Sequence, residues 1–280
     1  MAKIGVLNNL TVVRHVDFGL YLDGGDSGDI LLPKRETPRD ADTSIGKQLS
    51  VFIYHDSEDR IVASGRKPKA MLGEFAALHV VDINRTGIFL DWGLSKDLFM
   101  PHSEEKRPLQ IGDTVLVYVY QDVHTGRLLA SAQLERFVPV DVSDSDYQVN
   151  QQVSLWVAER NEHGYVCLVG EQYLGLLHHH EIFRAVRVGQ KLPGFVREKR
   201  ADGRLSLSLQ MQGQAVRDEL SERILGELQV RGGVLELSDK SSAQAIAAVF
   251  GVSKGNYKKA IGNLFKQGLI EIEPQLIRLK

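Results

Sequence analysis

Gly164-Tyr165-Val166-Cys167-Leu168-Val169 opens a stretch whose four phrases decide the fold. The second is Gly175-Leu176-Leu177-His178-His179-His180-Glu181-Ile182. The third is Val188-Gly189-Gln190-Lys191-Leu192. The fourth, Gly203-Arg204-Leu205-Ser206-Leu207-Ser208-Leu209, alternates apolar and polar residues with the period of a half-buried strand. The same phrases stand twice more upstream, in the same order. Gly87-Ile88-Phe89-Leu90 and Gly19-Leu20-Tyr21-Leu22 match the first. Asp97-Leu98-Phe99-Met100-Pro101-His102 and Asp29-Ile30-Leu31-Leu32-Pro33-Lys34 match the second. Ile111-Gly112-Asp113-Thr114-Val115 and Ile45-Gly46-Lys47-Gln48-Leu49 match the third. Gly126-Arg127-Leu128-Leu129-Ala130-Ser131 and Asp59-Arg60-Ile61-Val62-Ala63-Ser64 close each copy.

The copies start 68 and 77 residues apart, a spacing that fits small domains rather than solenoid units. The expected division is 1–66, 67–140 and 141–213 for three barrels, and 214–280 for a different C-terminal domain. Each copy holds five short strands, with one longer connection between the third and fourth. A closed Greek-key barrel satisfies that pattern. Units this small bury little surface alone, so neighbouring barrels are expected to pack on one another. The acidic run Val138 to Asp146 reads as a linker or extended bridge. The tract Asp23 to Asp29 reads as a turn, because it lacks the ligand spacing and terminal Glu of a calcium loop.

Beyond Met211 the apolar period changes from two to 3.6. Ala215, Leu220, Ile224, Leu225 and Leu228 mark a helix that ends at Gly232-Gly233. Val234 to Leu237 reads as a strand. Ser242 caps a helix with Ala245, Ile246, Val249 and Phe250 on its apolar face, and Ser253 caps another with Tyr257, Ala260, Ile261, Leu264 and Phe265. Leu269–Ile272 and Leu276–Leu279 form a hairpin. This order is that of a winged helix-turn-helix. The whole chain is therefore expected to be mainly β: three tandem five-stranded barrels followed by an α+β winged helix.

Composition excludes more than it assigns. Hydrophobic content is 43% and charged content 25%, ordinary for a globular chain. No stretch approaches the length of a membrane helix, so no membrane partner is expected. The N-terminus shows no secretory signal pattern, and the one cysteine, Cys167, sits in an apolar strand as an inert thiol. Both point to the cytoplasm. No nucleophile elbow, phosphate-binding glycine loop or acidic metal cluster occurs, so no enzyme and no cofactor is expected. The run His178-His179-His180 is no metal site, because consecutive side chains diverge and no second cluster lies at ligand spacing. The formal net charge is −2. Only residues 214–280 are net basic, with 10 Lys and Arg against 8 Asp and Glu. A polyanion would have to be held by local patches and stacking.

The phrases resemble the S1 RNA-binding domain, an OB barrel, over roughly residues 3 to 211. Three such units plus a winged helix resemble the bacterial conserved virulence factor B family of RNA-binding proteins. The resemblance implies bases stacked on two aromatics around the opening glycine, with a His, an Asp and an Arg beside them. Phe18, Tyr21, Asp56 and Arg60 match in unit one, with Leu32 at the His position. Phe89, Asp122 and Arg127 match in unit two, with Thr86 for the first aromatic and Met100 at the His position. His178 and Arg204 match in unit three, where His163 and Val166 replace the aromatics and Arg200 replaces the Asp.

The residues themselves carry a compatible reading. Alternation sends Tyr21 and Phe89 to the face opposite their apolar neighbours, where a ring can stack on any base. Arg60, Arg127 and Arg204 each begin a closing strand and can meet a phosphate. Arg197 and Lys199 alternate onto one face, and the turn at Asp202-Gly203 brings Arg204 back beside them. The last capped helix displays Lys254 and Lys258 at i, i+4 spacing and lacks base-reading side chains at its start. The expected function is non-enzymatic binding of single-stranded RNA with low sequence specificity, in post-transcriptional regulation. The alternatives are a DNA-binding regulator led by the winged helix, and a scaffold on the ribosome or another protein.

Overall fold

The computed structural model describes residues 1–139, 141–143, 145–211 and 214–280, with the side chains of all but 214–218. The chain forms two compact units, Met1–Phe137 and Val138–Lys280.

The first unit holds two closed barrels. One is built from β1 (Leu7–Val16), β2 (Gly19–Asp23), β3 (Asp29–Pro33), β4 (Gln48–His55) and β5 (Ile61–Ser64). The other uses β6 (Phe75–Ile83), β7 (Gly87–Asp91), β8 (Leu98–Pro101), β9 (Thr114–Gln121) and β10 (Leu128–Ser131). In the second unit, β11 (Gln152–Arg160), β12 (Gly164–Val169), β13 (Tyr173–His178), β14 (Lys191–Lys199) and β15 (Leu205–Ser208) close a third barrel in the same order. The first strand pairs with the second and fourth, and the fifth pairs in parallel with the third, as Leu31 does with Val62 and Leu176 with Ser206. The three expected barrels are thus present, and the fold is mainly β.

The repeated glycines have a steric cause. A Cβ on Gly19, Gly87 or Gly164 would lie 2.3, 2.5 or 2.0 Å from the carbonyl oxygen of Leu32, Met100 or Leu177 on the facing strand. Gly46, Gly112 and Gly189 adopt φ of +88°, +91° and +83°, the left-handed region that glycine tolerates. Their amides donate to the Val12, Val80 and Val157 carbonyls at 2.8–2.9 Å, tying each connection to the first strand. Directly after those valines every first strand bulges.

Each third strand runs into a 3-10 turn ending in a buried glutamate: Glu36, Glu104 and Glu181. Ser64 and Ser208 donate to Glu36 and Glu181 at 2.8 and 2.7 Å. Arg136 donates to Glu104 and Arg197 to Glu181, both at 2.7 Å. A buried carboxylate needs such partners to be tolerated.

The first barrel has its own core around Val12, Leu22, Leu32 and Ile53, and its Phe52, Tyr54 and Val62 join the core of the second. Phe52 and Tyr54 of β4 meet the Trp92 ring edge-on at 5.6 and 6.2 Å. The expected linker is instead part of the third barrel. Val142 is fully buried in its core, and its amide donates to the Gly203 carbonyl at 2.8 Å. Val140 and Asp144 of that run lie outside the described residues.

The C-terminal region comprises α1 (Gln214–Val230), β16 (Val234–Leu235), α2 (Ala243–Phe250), α3 (Lys254–Lys266), β17 (Ile270–Ile272) and β18 (Ile277–Leu279). Ser242 and Ser253 accept from the Ala245 and Asn256 amides at 3.1 and 3.2 Å, the expected caps. Leu220, Ile224, Ile246, Tyr257 and Leu264 fill a separate core. Ala215 lies outside the described side chains. Val249 and Phe265, on the expected apolar faces, are exposed, Phe265 by 53%, because two short helices over three small strands leave their outer flanks uncovered. Among the described residues no helix is long and apolar enough to cross a membrane.

Candidate nucleic-acid interface

The corresponding face of each barrel is built from the start of the second strand, the end of the third, and the hairpin joining the fourth and fifth. That hairpin closes through the same backbone bond in all three, with one more residue in the turn of the second. The amides of Asp56, Asp122 and Arg200 donate to the carbonyls of Arg60, Arg127 and Arg204 at 2.8–2.9 Å. Arg200 therefore occupies the backbone position of the two aspartates.

In the first barrel Phe18 is 59% exposed at the β1–β2 turn. Tyr21 points outward, but the Arg14 guanidinium lies 4.1 Å above its ring centre. Arg60 is bound by Asp56 at 2.7 Å and Glu58 at 2.9 Å. The hydrogen bonds from Arg60 outweigh burial and hold the Asp56 carboxyl below its ordinary range.

In the second barrel Phe89 points outward beside Phe99, with ring centres 5.4 Å apart. Sequence reasoning missed Phe99, although alternation between buried Leu98 and Met100 places it outward as it does Phe89. Arg127 pairs with Asp59 of the first barrel.

In the third barrel Val166 takes the place of Tyr21 and Phe89. This face collects nitrogen bases instead. The His178 and His180 rings stack at 5.3 Å. Partial burial, then the positive neighbours His180, Arg200, Arg197 and His163, hold the His178 ring below its ordinary pKa. Arg197 lies 3.1 Å from Nε2 of His180. Arg200 pairs with Asp202 at 3.2 Å. Among the described residues the Arg204 guanidinium has no carboxylate partner. The three-histidine run gathers no metal-binding cluster among the described residues.

Two expectations about register need correction. The residue paired with the opening glycine is Pro33, Pro101 or His178. The counterparts of His178 are therefore the prolines, while Leu32 and Met100 correspond to buried Leu177 one residue earlier. Arg197 and Lys199 do not share a face, because a bulge between Val196 and Glu198 interrupts the alternation. Arg197 turns to Glu181, and Lys199 donates to the Ser145 carbonyl.

In the winged helix, Lys258 lies 3.7 Å from Asp239 and Lys254 reaches the Lys240 carbonyl at 3.4 Å. Beside them Asn256 donates to the Gln210 side chain at 2.7 Å, and Gln210 donates to the Gly251 carbonyl at 3.1 Å. The start of α3 is thereby fastened to the end of the third barrel's last strand.

Comparison with known proteins gives this arrangement its family. The S1 domain model matches residues 4–65 and 72–133, and the CvfB-like winged helix domain model matches residues 222–279. The chain is an S1-domain protein with a CvfB-like winged helix. A conserved virulence factor B of Staphylococcus epidermidis is 28% identical, over 99% of this chain and 94% of that one. The uncharacterized protein YitL of Bacillus subtilis is 29% identical, over 93% of this chain and 88% of its own length. A solved multidomain protein with nucleic acid binding domains from Streptococcus pneumoniae aligns over 99% of this chain and 98% of its own, at 24% identity and a TM-score of 0.46. S1 and winged-helix domains together indicate a nucleic-acid-binding regulator.

Proposed function

We propose that this protein binds single-stranded RNA with little sequence preference, without catalysis, and acts in the cytoplasm in post-transcriptional regulation of gene expression. The division into barrels at 1–66, 67–140 and 141–213 and a winged helix at 214–280 belongs to the same reading. The observation that carries it is the cationic site on the third barrel. The His178 and His180 rings stack at 5.3 Å, Arg197 lies 3.1 Å from His180, and Arg200 stands where the other two barrels carry an aspartate, in a protein of net charge −2. A local patch of this kind suits a phosphate backbone. The outward rings of Phe18, Tyr21 and Phe89 offer stacking surfaces that do not discriminate between bases. Lys254 and Lys258 extend the positive surface from a helix fastened to the same barrel.

The test is fluorescence anisotropy with single-stranded RNA, single-stranded DNA and duplex DNA of equal length, each at two salt concentrations. The expected order places single-stranded RNA first, with several unrelated sequences bound alike. Tighter binding of a defined duplex would make the winged helix a DNA reader. No binding to any of the three would leave a scaffold whose partner is the ribosome or another protein.

A further inference from the structure

The outward face of the second barrel is walled by the first. Both belong to the unit Met1–Phe137. Between them lies a cleft of about 410 Å³, lined by His55 and Asp59 from the first barrel and Phe89, Lys96, Phe99 and Arg127 from the second. That volume suits one nucleotide and excludes a duplex. The tilted pair Phe89 and Phe99 supplies an aromatic wall. At the rim Arg127 is held by Asp59, an ion pair in which both side chains remain about half exposed. Lys96 is fixed beside it, donating to the His55 and Asp56 carbonyls at 3.0 and 2.6 Å.

Two features of this cleft call for a ligand. Nδ1 of His55 is buried with no hydrogen-bond partner among the described residues. A buried polar atom is seldom left unpaired, because the lost hydration is not repaid. An exposed ion pair such as Arg127–Asp59 contributes little, whereas an arginine–phosphate contact is charge-assisted and bidentate.

We propose that the cleft seats one nucleotide of a bound single strand, its base on Phe89 and Phe99 with an edge toward His55, its phosphate drawing Arg127 away from Asp59. The inference rests on the single-strand reading above and adds a part for the first barrel: its β4–β5 turn belongs to the second barrel's site. Asp59 competes with phosphate for one guanidinium. Burial, the largest influence on it, lowers the pKa of His55.

The chain's two tryptophans, Trp92 and Trp156, make a local readout possible. Trp92 lines the cleft, so with Trp156→Phe its emission reports occupancy there. The full-length protein is titrated with a short oligo-uridylate, following Trp92 emission and, separately, anisotropy of the labelled RNA. Saturable change in Trp92 emission is expected. Asp59→Asn should lower its midpoint several-fold, and Arg127→Gln should raise it and cancel the gain from Asp59→Asn. Phe89→Leu, which keeps an apolar side chain, should raise it about tenfold, within the range for one stacked base. RNA binding seen by anisotropy with Trp92 silent, or a midpoint indifferent to Asp59→Asn, overturns the cleft and leaves the RNA reading standing. No binding by anisotropy overturns both. Circular dichroism on each variant separates lost binding from lost fold.

Discussion

Arg200 donates its amide to the Arg204 carbonyl at 2.8 Å, the closure that Asp56 makes with Arg60 in the first barrel. The turn is the same and the charge is opposite. Asp56 and Glu58 neutralise Arg60, while Arg204 has no carboxylate partner among the described residues.

Replacing Arg200 and Arg204 together by Glu is therefore expected to weaken RNA binding far more than Arg60→Glu. The log–log salt dependence should flatten by about 0.7 for each phosphate of a single strand that is no longer neutralised. Anisotropy over a salt series, with circular dichroism as the fold check, measures both. Equal or greater loss from Arg60→Glu would move the main site to Phe18 and Tyr21.

Removing residues 214–280 should leave the barrels folded, because that region has its own core of Leu220, Ile224, Tyr257 and Leu264. It should also weaken RNA binding and reduce the salt slope by about 1.4, the share of two phosphates for Lys254 and Lys258. A folded truncated chain with unchanged affinity would take α3 out of the binding surface.

Affinity for oligo-uridylate, which has no group titrating near neutrality, should rise as pH falls from about 7.5 toward about 5.5. The sign follows from linkage. His178 in the free protein titrates below its ordinary pKa, held down by burial, His180, Arg200, Arg197 and His163. A phosphate beside it favours the charged ring, so binding takes up a proton and strengthens wherever the free ring is neutral. His178→Ala should make the profile flatter. An unchanged profile would mean that His178 does not face the strand.

Glu181→Ala should destabilise the second unit by about 1–3 kcal/mol, the usual cost of stranding buried hydrogen-bonding partners. Those partners are the Ser208 hydroxyl and the Arg197 guanidinium, each 2.7 Å from the carboxylate. Urea unfolding checks it. A loss below about 0.5 kcal/mol would mean that water replaces the carboxylate freely.

The barrels were legible because one pattern is written three times. Steric demands at Gly19, Gly87 and Gly164, and the left-handed turns at Gly46, Gly112 and Gly189, leave marks in any copy. The helix caps at Ser242 and Ser253 were legible from residue type. The errors share a different cause. A bulge carries no compositional signature, so the alternation drawn through Arg197 to Lys199 failed where the strand slips. A one-residue offset put Leu32 and Met100 where Pro33 and Pro101 stand, since sequence spacing does not show which residue faces the opening glycine. Val142 was hidden by its acidic neighbours, although one valine reaching a core is enough to anchor the run. The pairing of Arg127 with Asp59 joins residues of different repeats, and no local pattern encodes it.

The bond from Asn256 to Gln210 has a further consequence. It fixes α3 against the third barrel instead of leaving it on a free tether. On the function proposed above, a strand captured by the barrel would meet the helix lysines as an intramolecular event, at an effective concentration set by geometry rather than by linker length. Two weak grips become one slow-releasing clamp, and the gain appears in the dissociation rate without any added interaction. Asn256→Ala should speed release of a long strand that reaches both elements, and leave a strand too short to reach α3 untouched.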